Sequence, residues 1–127
     1  MMGKNKFNAK KIFIGGEAFD SKKEYSRYCE LKLLEKAGEI SNLERQVEYE
    51  LIPAQFEMIW DKRKGEYKKG RCLERKCCYV ADFRYTEKGS VVVEDVKGYK
   101  NSGAAWSLYC IKRKLMLQLY GIRVVEL

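Results

Sequence analysis

The sequence predicts an α/β protein, a mixed central β-sheet flanked by helices. Three observations carry this. Two stretches, about 21–37 and 104–120, hold apolar residues at helical spacing, and each is followed by glycine, Gly38 and Gly121. Between them apolar and polar residues alternate, as in strands buried on one face. Runs 78–85 and 91–98 are rich in β-branched and aromatic residues and flank the polar segment Glu87-Lys-Gly-Ser90, a hairpin signature. The order is helix, strand, strand, strand, helix, strand, with a small hairpin in front, and 127 residues suit one domain.

Residues 1–11 are basic and lack the apolar core and cleavage site of a signal peptide, so a loose arm is expected there. Ile12 to Ile14 and Glu17 to Phe19 flank Gly15-Gly16 and predict a short hairpin. Ser21 with Glu24 three residues later matches a capping box, which starts the first helix. Tyr25, Tyr28, Leu31 and Leu34 form its apolar arc, and Glu24 falls on the same arc. In 45–52, Val47, Tyr49 and Leu51 alternate with Gln46, Glu48 and Glu50, a half-buried strand that Pro53 ends or bends. Residues 56–60 offer further strand. The lysine-rich excursion 61–76 is expected to be a mobile hairpin or loop, either a solvated charged segment or a flap that grips phosphate. After the central hairpin, Asn101 or Ser102 can cap the second helix. Leu108, Ile111, Leu115 and Leu119 are its expected core face, with Lys112, Arg113 and Lys114 outside. Residues 122–127 form a last strand.

Hydrophobic content of 46% argues for a folded chain, and no apolar run approaches the ~18 residues of a membrane span. The net charge of +8 suits a polyanionic partner, most simply nucleic acid, though solubility alone is the plainer account. Five cysteines at irregular spacing, with no histidine in the chain, argue against zinc. Nothing marks secretion, so reduced thiols in a cytoplasm are expected.

In the central hairpin, a two-residue loop at Lys88-Gly89 or a four-residue loop over 87–90 gives one register. It sets Asp82 directly opposite Asp95. Opposed Cβ atoms lie roughly 5 Å apart, where like charges repel. A divalent cation between the carboxylates reverses that sign. Strand parity puts Lys97 on the face of Asp95 and Glu94 on the other, and groups Asp82 with Val80 and Arg84. Two acids and a lysine at one point is an arrangement for metal-assisted phosphodiester hydrolysis. The acid-x-Lys pattern alone is weak, since the chain holds five instances. Only Asp95-Val-Lys97 lies in a strong strand opposite another acid.

Phe19-Asp-Ser-Lys-Lys-Glu24, Gln46, Tyr79-Val-Ala-Asp-Phe83 and Val93-Glu-Asp-Val-Lys-Gly98 resemble the motifs of the PD-(D/E)XK nuclease superfamily. More narrowly, they resemble a group of small phage and prophage proteins assigned to it. The resemblance runs from about Lys11 to the end, interrupted at 53–76, and implies the restriction-endonuclease-like αβββαβ core. It implies Asp82, Asp95 and Lys97 as catalytic, with Glu24 supplied from the first helix in place of, or beside, its capping role. Asp82, Asp95, Glu24 and the Val96 carbonyl would then hold Mg²⁺, or Mn²⁺. Gln46 is an accessory candidate or a plain surface residue. Glu94 would replace Asp95 if a bulge exchanged them. Ala81 stands where the namesake proline would be.

The expected function is thus a Mg²⁺-dependent DNA endonuclease that cuts by structure, with Holliday-junction-resolvase-like action on branched phage DNA as one form and a homodimer among its assemblies. Lys97 would orient the water or stabilise the developing charge. Lys62, Arg63, Lys64, Lys68, Lys69, Lys112, Arg113 and Lys114 would hold DNA backbone without reading sequence. Two rivals remain: a non-catalytic basic nucleic-acid-binding module, indifferent to metal, and a basic structural protein of a phage particle or replication complex.

Overall fold

The computed structural model describes residues 11–97 and 103–127. The expected basic arm, except Lys11, lies outside the described residues, as do the 98–102 loop and the candidate caps Asn101 and Ser102. The elements are β1 (Ile12–Ile14), β2 (Glu17–Phe19), α1 (Lys22–Lys36), β3 (Ser41–Ile52), β4 (Gln55–Asp61), β5 (Glu66–Glu74), β6 (Cys77–Glu87), β7 (Ser90–Asp95), α2 (Gly103–Tyr120) and β8 (Val125–Glu126).

The main sheet has the order β3-β6-β7-β8. β3, β6 and β7 are antiparallel, and β8, reached through α2, joins β7 in parallel. The described residues are therefore mixed α/β, with one four-stranded sheet and two long helices. No helix among the described residues is long and apolar enough to cross a membrane.

The β6–β7 register is the expected one. Glu87 pairs with Ser90 and Phe83 with Glu94. Lys88 and Gly89 both have positive φ, 51° and 79°, as a two-residue hairpin turn with matching twist requires. One more step along this register sets Asp82 across from Asp95. No bulge interrupts the pairing from Ser90 to Glu94, so Glu94 and Asp95 keep opposite faces.

Two cores form, one under each helix. Tyr79, Ala81 and Val93 pack with Tyr109 and Met116 of α2, joined by Tyr49 and Leu51. Phe83 and Tyr85 pack with Leu31 of α1 and Ile40, bordered by Leu43. Odd-numbered residues of an unbroken strand share one face. Here β6 changes cores between Ala81 and Phe83, and β3 between Leu43 and Val47. The change falls at Gln46 and Asp82, which face each other between the Arg45–Phe83 and Val47–Ala81 pairs. Gln46 carries it in its backbone, with φ of 52°. The simple parity that grouped Asp82 with Val80 and Arg84 fails at this point.

The excursion takes the hairpin alternative, a two-stranded sheet of its own, β4 with β5, turning at 62–65 and irregular in register between Gln55 and Met58. One other expectation, the core face of α2, is corrected. On α2, Leu108, Ile111 and Leu119 are exposed, and only Leu115 borders the core. The buried face is Trp106, Tyr109 and Met116, a second stripe at helical spacing. Arg113 lies along that stripe, turned inward to Glu126 at 2.9 Å, so it is not on the outer side.

Candidate active site

The start of α1 delivers the first acid. Ser21 accepts a hydrogen bond from the Glu24 N–H at 3.1 Å, closing the expected cap. The Glu24 side chain turns back and its Oε1 accepts from the Asp20 N–H at 2.7 Å. Glu24 is buried, as its place on the apolar arc predicted, so its second oxygen needs polar company. Gln46 supplies it, donating from Nε2 to Glu24 Oε2 at 3.0 Å. The same amide lies 3.5 Å from Asp82 Oδ1. The left-handed backbone at Gln46 thus aims one amide between two carboxylates from different elements.

Asp82 sits where the β6–β7 ladder ends. Its Oδ2 accepts from the Val96 N–H at 2.7 Å, so a side chain continues the pairing that the backbone leaves. Val96 therefore meets Asp82 through its N–H. Burial first, and then the carboxylates of Asp95 and Glu24, push the Asp82 carboxyl up to about 8, against the Val96 hydrogen bond. Carboxylate oxygens of Asp20, Glu24 and Asp82 all lie within 4.8 Å of one another. Among the described residues this is the group able to share one cation. Its donors are all hard oxygens, which suits Mg²⁺ or Mn²⁺.

Asp95 belongs to the neighbourhood but not to that group. Its Oδ2 accepts from the Tyr79 hydroxyl at 2.5 Å and lies 3.2 Å from Lys97 Nζ. Lys97 Nζ also stands 3.5 Å from the centre of the Tyr109 ring. The Tyr109 hydroxyl donates to Glu126 at 2.7 Å. Burial and these acids raise both tyrosines well above the usual phenol range, so both remain donors. The Lys97 carbonyl accepts from Lys23 Nζ at 3.2 Å, tying the first turn of α1 to the end of β7.

Glu94 is committed elsewhere. Arg27 binds it with two bonds, at 2.8 and 2.6 Å, and the Tyr85 hydroxyl donates to it as well. It joins α1 to β7 and leaves Asp95 as the acid beside Lys97.

Two further residues belong to the site. Asp20 has no role of its own in the Phe19–Glu24 motif, yet its carboxylate reaches Glu24 and Asp82. Arg45 lies 3.6 Å from Glu24 Oε2, donates to the Ala18 carbonyl at 2.6 Å and covers the Phe19 ring at 3.9 Å. Its alternation within β3 gave it no special mark. The expected backbone contacts fall in two places. Lys62, Arg63, Lys64, Lys68 and Lys69 are exposed on the β4–β5 hairpin, whereas on α2 Lys114 is exposed and Lys112 half-buried.

Fold and site together define a small mixed α/β protein with a carboxylate cluster where β6 leaves β7 and a lysine beside it. The chain belongs to the family described as protein of unknown function (DUF1064), whose model matches residues 4–123. No curated protein and no solved structure matches the chain.

Proposed function

We propose that this protein is a divalent-metal-dependent DNA endonuclease of the PD-(D/E)XK superfamily, acting in the cytoplasm on branched or otherwise irregular DNA. One observation supports this above the rest. Acids from three places in the sequence, Asp20 with Glu24, Asp82, and Asp95, gather around one strand end with Lys97 beside them. The Val96 N–H stabilises one oxygen of Asp82 but does not offset its burial beside Asp95 and Glu24, whereas a cation among the oxygens would.

In this reading Asp20, Glu24 and Asp82 hold the cation, and Asp95 adds charge from the neighbouring strand. Bound there, a divalent cation supplies charge for a phosphate oxygen and lowers the pKa of a coordinated water. Gln46 fixes the spacing of Glu24 and Asp82. Asp95 and the Tyr109 ring hold the Lys97 ammonium in place, where it orients the water or meets the negative charge that develops on phosphate. Arg45 limits the repulsion on Glu24. A homodimer is the assembly that cutting two strands of a junction would call for.

The test is cleavage of labelled four-way junction, linear duplex and single-stranded DNA with Mg²⁺, Mn²⁺ or EDTA. Wild type should cut with metal, and Asp82→Ala, Asp95→Ala and Lys97→Ala should not, with unchanged circular dichroism. Binding without cutting, indifferent to EDTA and to Asp95→Ala, would instead identify a non-catalytic binding module.

A further inference from the structure

The β4–β5 hairpin is set apart from the rest of the molecule. Among the described residues its strands pair only with each other, and it is inserted between β3 and β6. A two-stranded sheet has no core in which to bury large side chains. Even so, Trp60 and Tyr67 stand directly opposite each other near its turn, with ring centres 5.1 Å apart. They are 51% and 63% exposed. Met58 and Lys69, the next same-face pair, extend the surface. Lys69 Nζ lies 4.1 Å from the centre of the Phe56 ring, so a cation is held against the aromatic strip.

Charge is distributed unevenly about this face. Residues 60–69 contain five cations, Lys62, Arg63, Lys64, Lys68 and Lys69, against two acids, Asp61 and Glu66. Asp61 is turned inward to order the turn, accepting the N–H groups of Arg63 and Lys64 at 2.9 and 3.3 Å. Glu57, further down, pairs with Arg71 at 3.1 Å. Exposed flat rings flanked by cations fit a polyanion whose bases are free to stack. A duplex does not offer this, because neighbouring pairs cover its base faces. A protein partner would satisfy the rings but not the surplus of cations.

We propose that the β4–β5 arm is a single-stranded DNA-binding element: Trp60 and Tyr67 stack unpaired bases while Lys62, Arg63 and Lys64 take the flanking phosphates. This deepens the endonuclease reading, on which the choice of DNA rests, by giving the enzyme a preference for substrates with unpaired nucleotides. The arm's root, Cys77, lies five residues along β6 from Asp82, about 17 Å of strand. Tyr67 lies ten residues beyond that root, so a base stacked there is separated from the acidic cluster by at most about 50 Å, followed along the chain.

The experiment is a binding titration in EDTA, so that no cleavage step enters. Fluorescein-labelled oligothymidylate and a blunt duplex are compared for the full-length protein and its arm variants. Tryptophan emission should be quenched by the oligonucleotide, and Trp60→Phe should remove most of the quenching while retaining binding. Trp60→Ala and Tyr67→Ala should each weaken the single strand about tenfold and the duplex little. Replacing Lys62, Arg63 and Lys64 together by Ala should weaken both ligands and reduce the logarithmic salt slope by up to about two for the single strand and nearly three for the duplex. Unchanged single-strand affinity in Trp60→Ala and Tyr67→Ala would overturn the proposal. So would concentration-dependent self-association abolished by Trp60→Ala, which would make the face a protein interface. Metal-dependent cleavage is scored separately. Its absence with intact arm binding sinks only the nuclease, and its presence with arm variants that bind normally sinks only the arm.

Discussion

Replacing Arg27 by Met should be among the most damaging single changes to this fold, and the reason is Glu94. The Glu94 side chain is 2% exposed and that of Arg27 24%. Two charge-assisted bonds hold them together, and the carboxylate pushes the Arg27 guanidinium above its ordinary range. With Arg27 gone, a buried carboxylate keeps only the Tyr85 hydroxyl. Breaking a buried pair in this way costs about 3–5 kcal/mol. Against the roughly 5–15 kcal/mol available to a domain, that is a large share. In urea the midpoint should fall by about 2 M, taking a slope near 2 kcal/mol per M. Arg27→Met with Glu94→Leu should recover most of the loss, because no charge is then stranded. A single-variant cost below 1 kcal/mol, or a double variant as unstable as the single, would refute the reasoning. The pair also fixes α1 against β7, so Arg27→Met should weaken Mg²⁺ binding even at temperatures where it remains folded.

Other expected outcomes follow from the site and the core. Calorimetric titration with Mn²⁺ should show binding lost in Asp82→Asn and weakened in Asp20→Asn, while Asp61→Asn, on the arm, changes nothing. The Asp82 carboxyl is raised from 3.8 to about 8, so the native state keeps a proton that the unfolded chain has released. Metal-free stability should therefore decline as pH rises through that window, with added Mg²⁺ restoring it near pH 8; thermal melts with and without metal check this. At Gln46, φ of 52° predicts that Gln46→Gly keeps the fold and loses metal affinity, whereas Gln46→Val costs about 1–3 kcal/mol of stability in denaturant titration. On α2, Met116→Ala should cost about 2–5 kcal/mol, and Ile111→Lys should stay within about 0.5 kcal/mol, since Met116 is fully buried and Ile111 exposed.

The central hairpin was legible because turn chemistry fixes register. Lys88-Gly89 takes the two left-handed conformations of a tight hairpin, and every pair from Glu87–Ser90 inward follows from it. The Ser21 cap and the burial of Glu24 were legible for a similar reason, since both rest on spacing within one helix, although the Glu24 side chain takes the Asp20 N–H and not that of Ser21. The buried face of α2 was not. The helix carries two apolar stripes, and aliphatic content favours Leu108, Ile111, Leu115 and Leu119. The fold buries the other, because Tyr109 and Arg113 converge on Glu126 and Lys97 sits over the Tyr109 ring. Those partners are distant in sequence, and helical periodicity contains no information about them. Asp20 was missed because nothing local distinguishes an acid beside a cap from an acid in a site.

The switch at Gln46 and Asp82 explains how one small sheet assembles the cluster. Glu24 comes from α1 and Asp95 packs with Tyr79 over the α2 core, so the two lie over different cores. A residue of a regular strand meets the neighbours of one face only. Asp82 is where β6 passes from one core to the other, and it is therefore coupled to Glu24 and to Asp95 at once. Period-two alternation hides such a point, because the residues on either side keep the expected pattern and only their cores differ. The left-handed backbone at a glutamine is the trace it leaves in the structure, and that conformation costs energy in a non-glycine residue. Its retention at the one position whose amide bridges Glu24 and Asp82 is consistent with strain held for the sake of the site. If so, Gln46→Gly should raise stability and lower metal affinity together. A variant that gained stability with undiminished affinity would show that the switch serves folding alone.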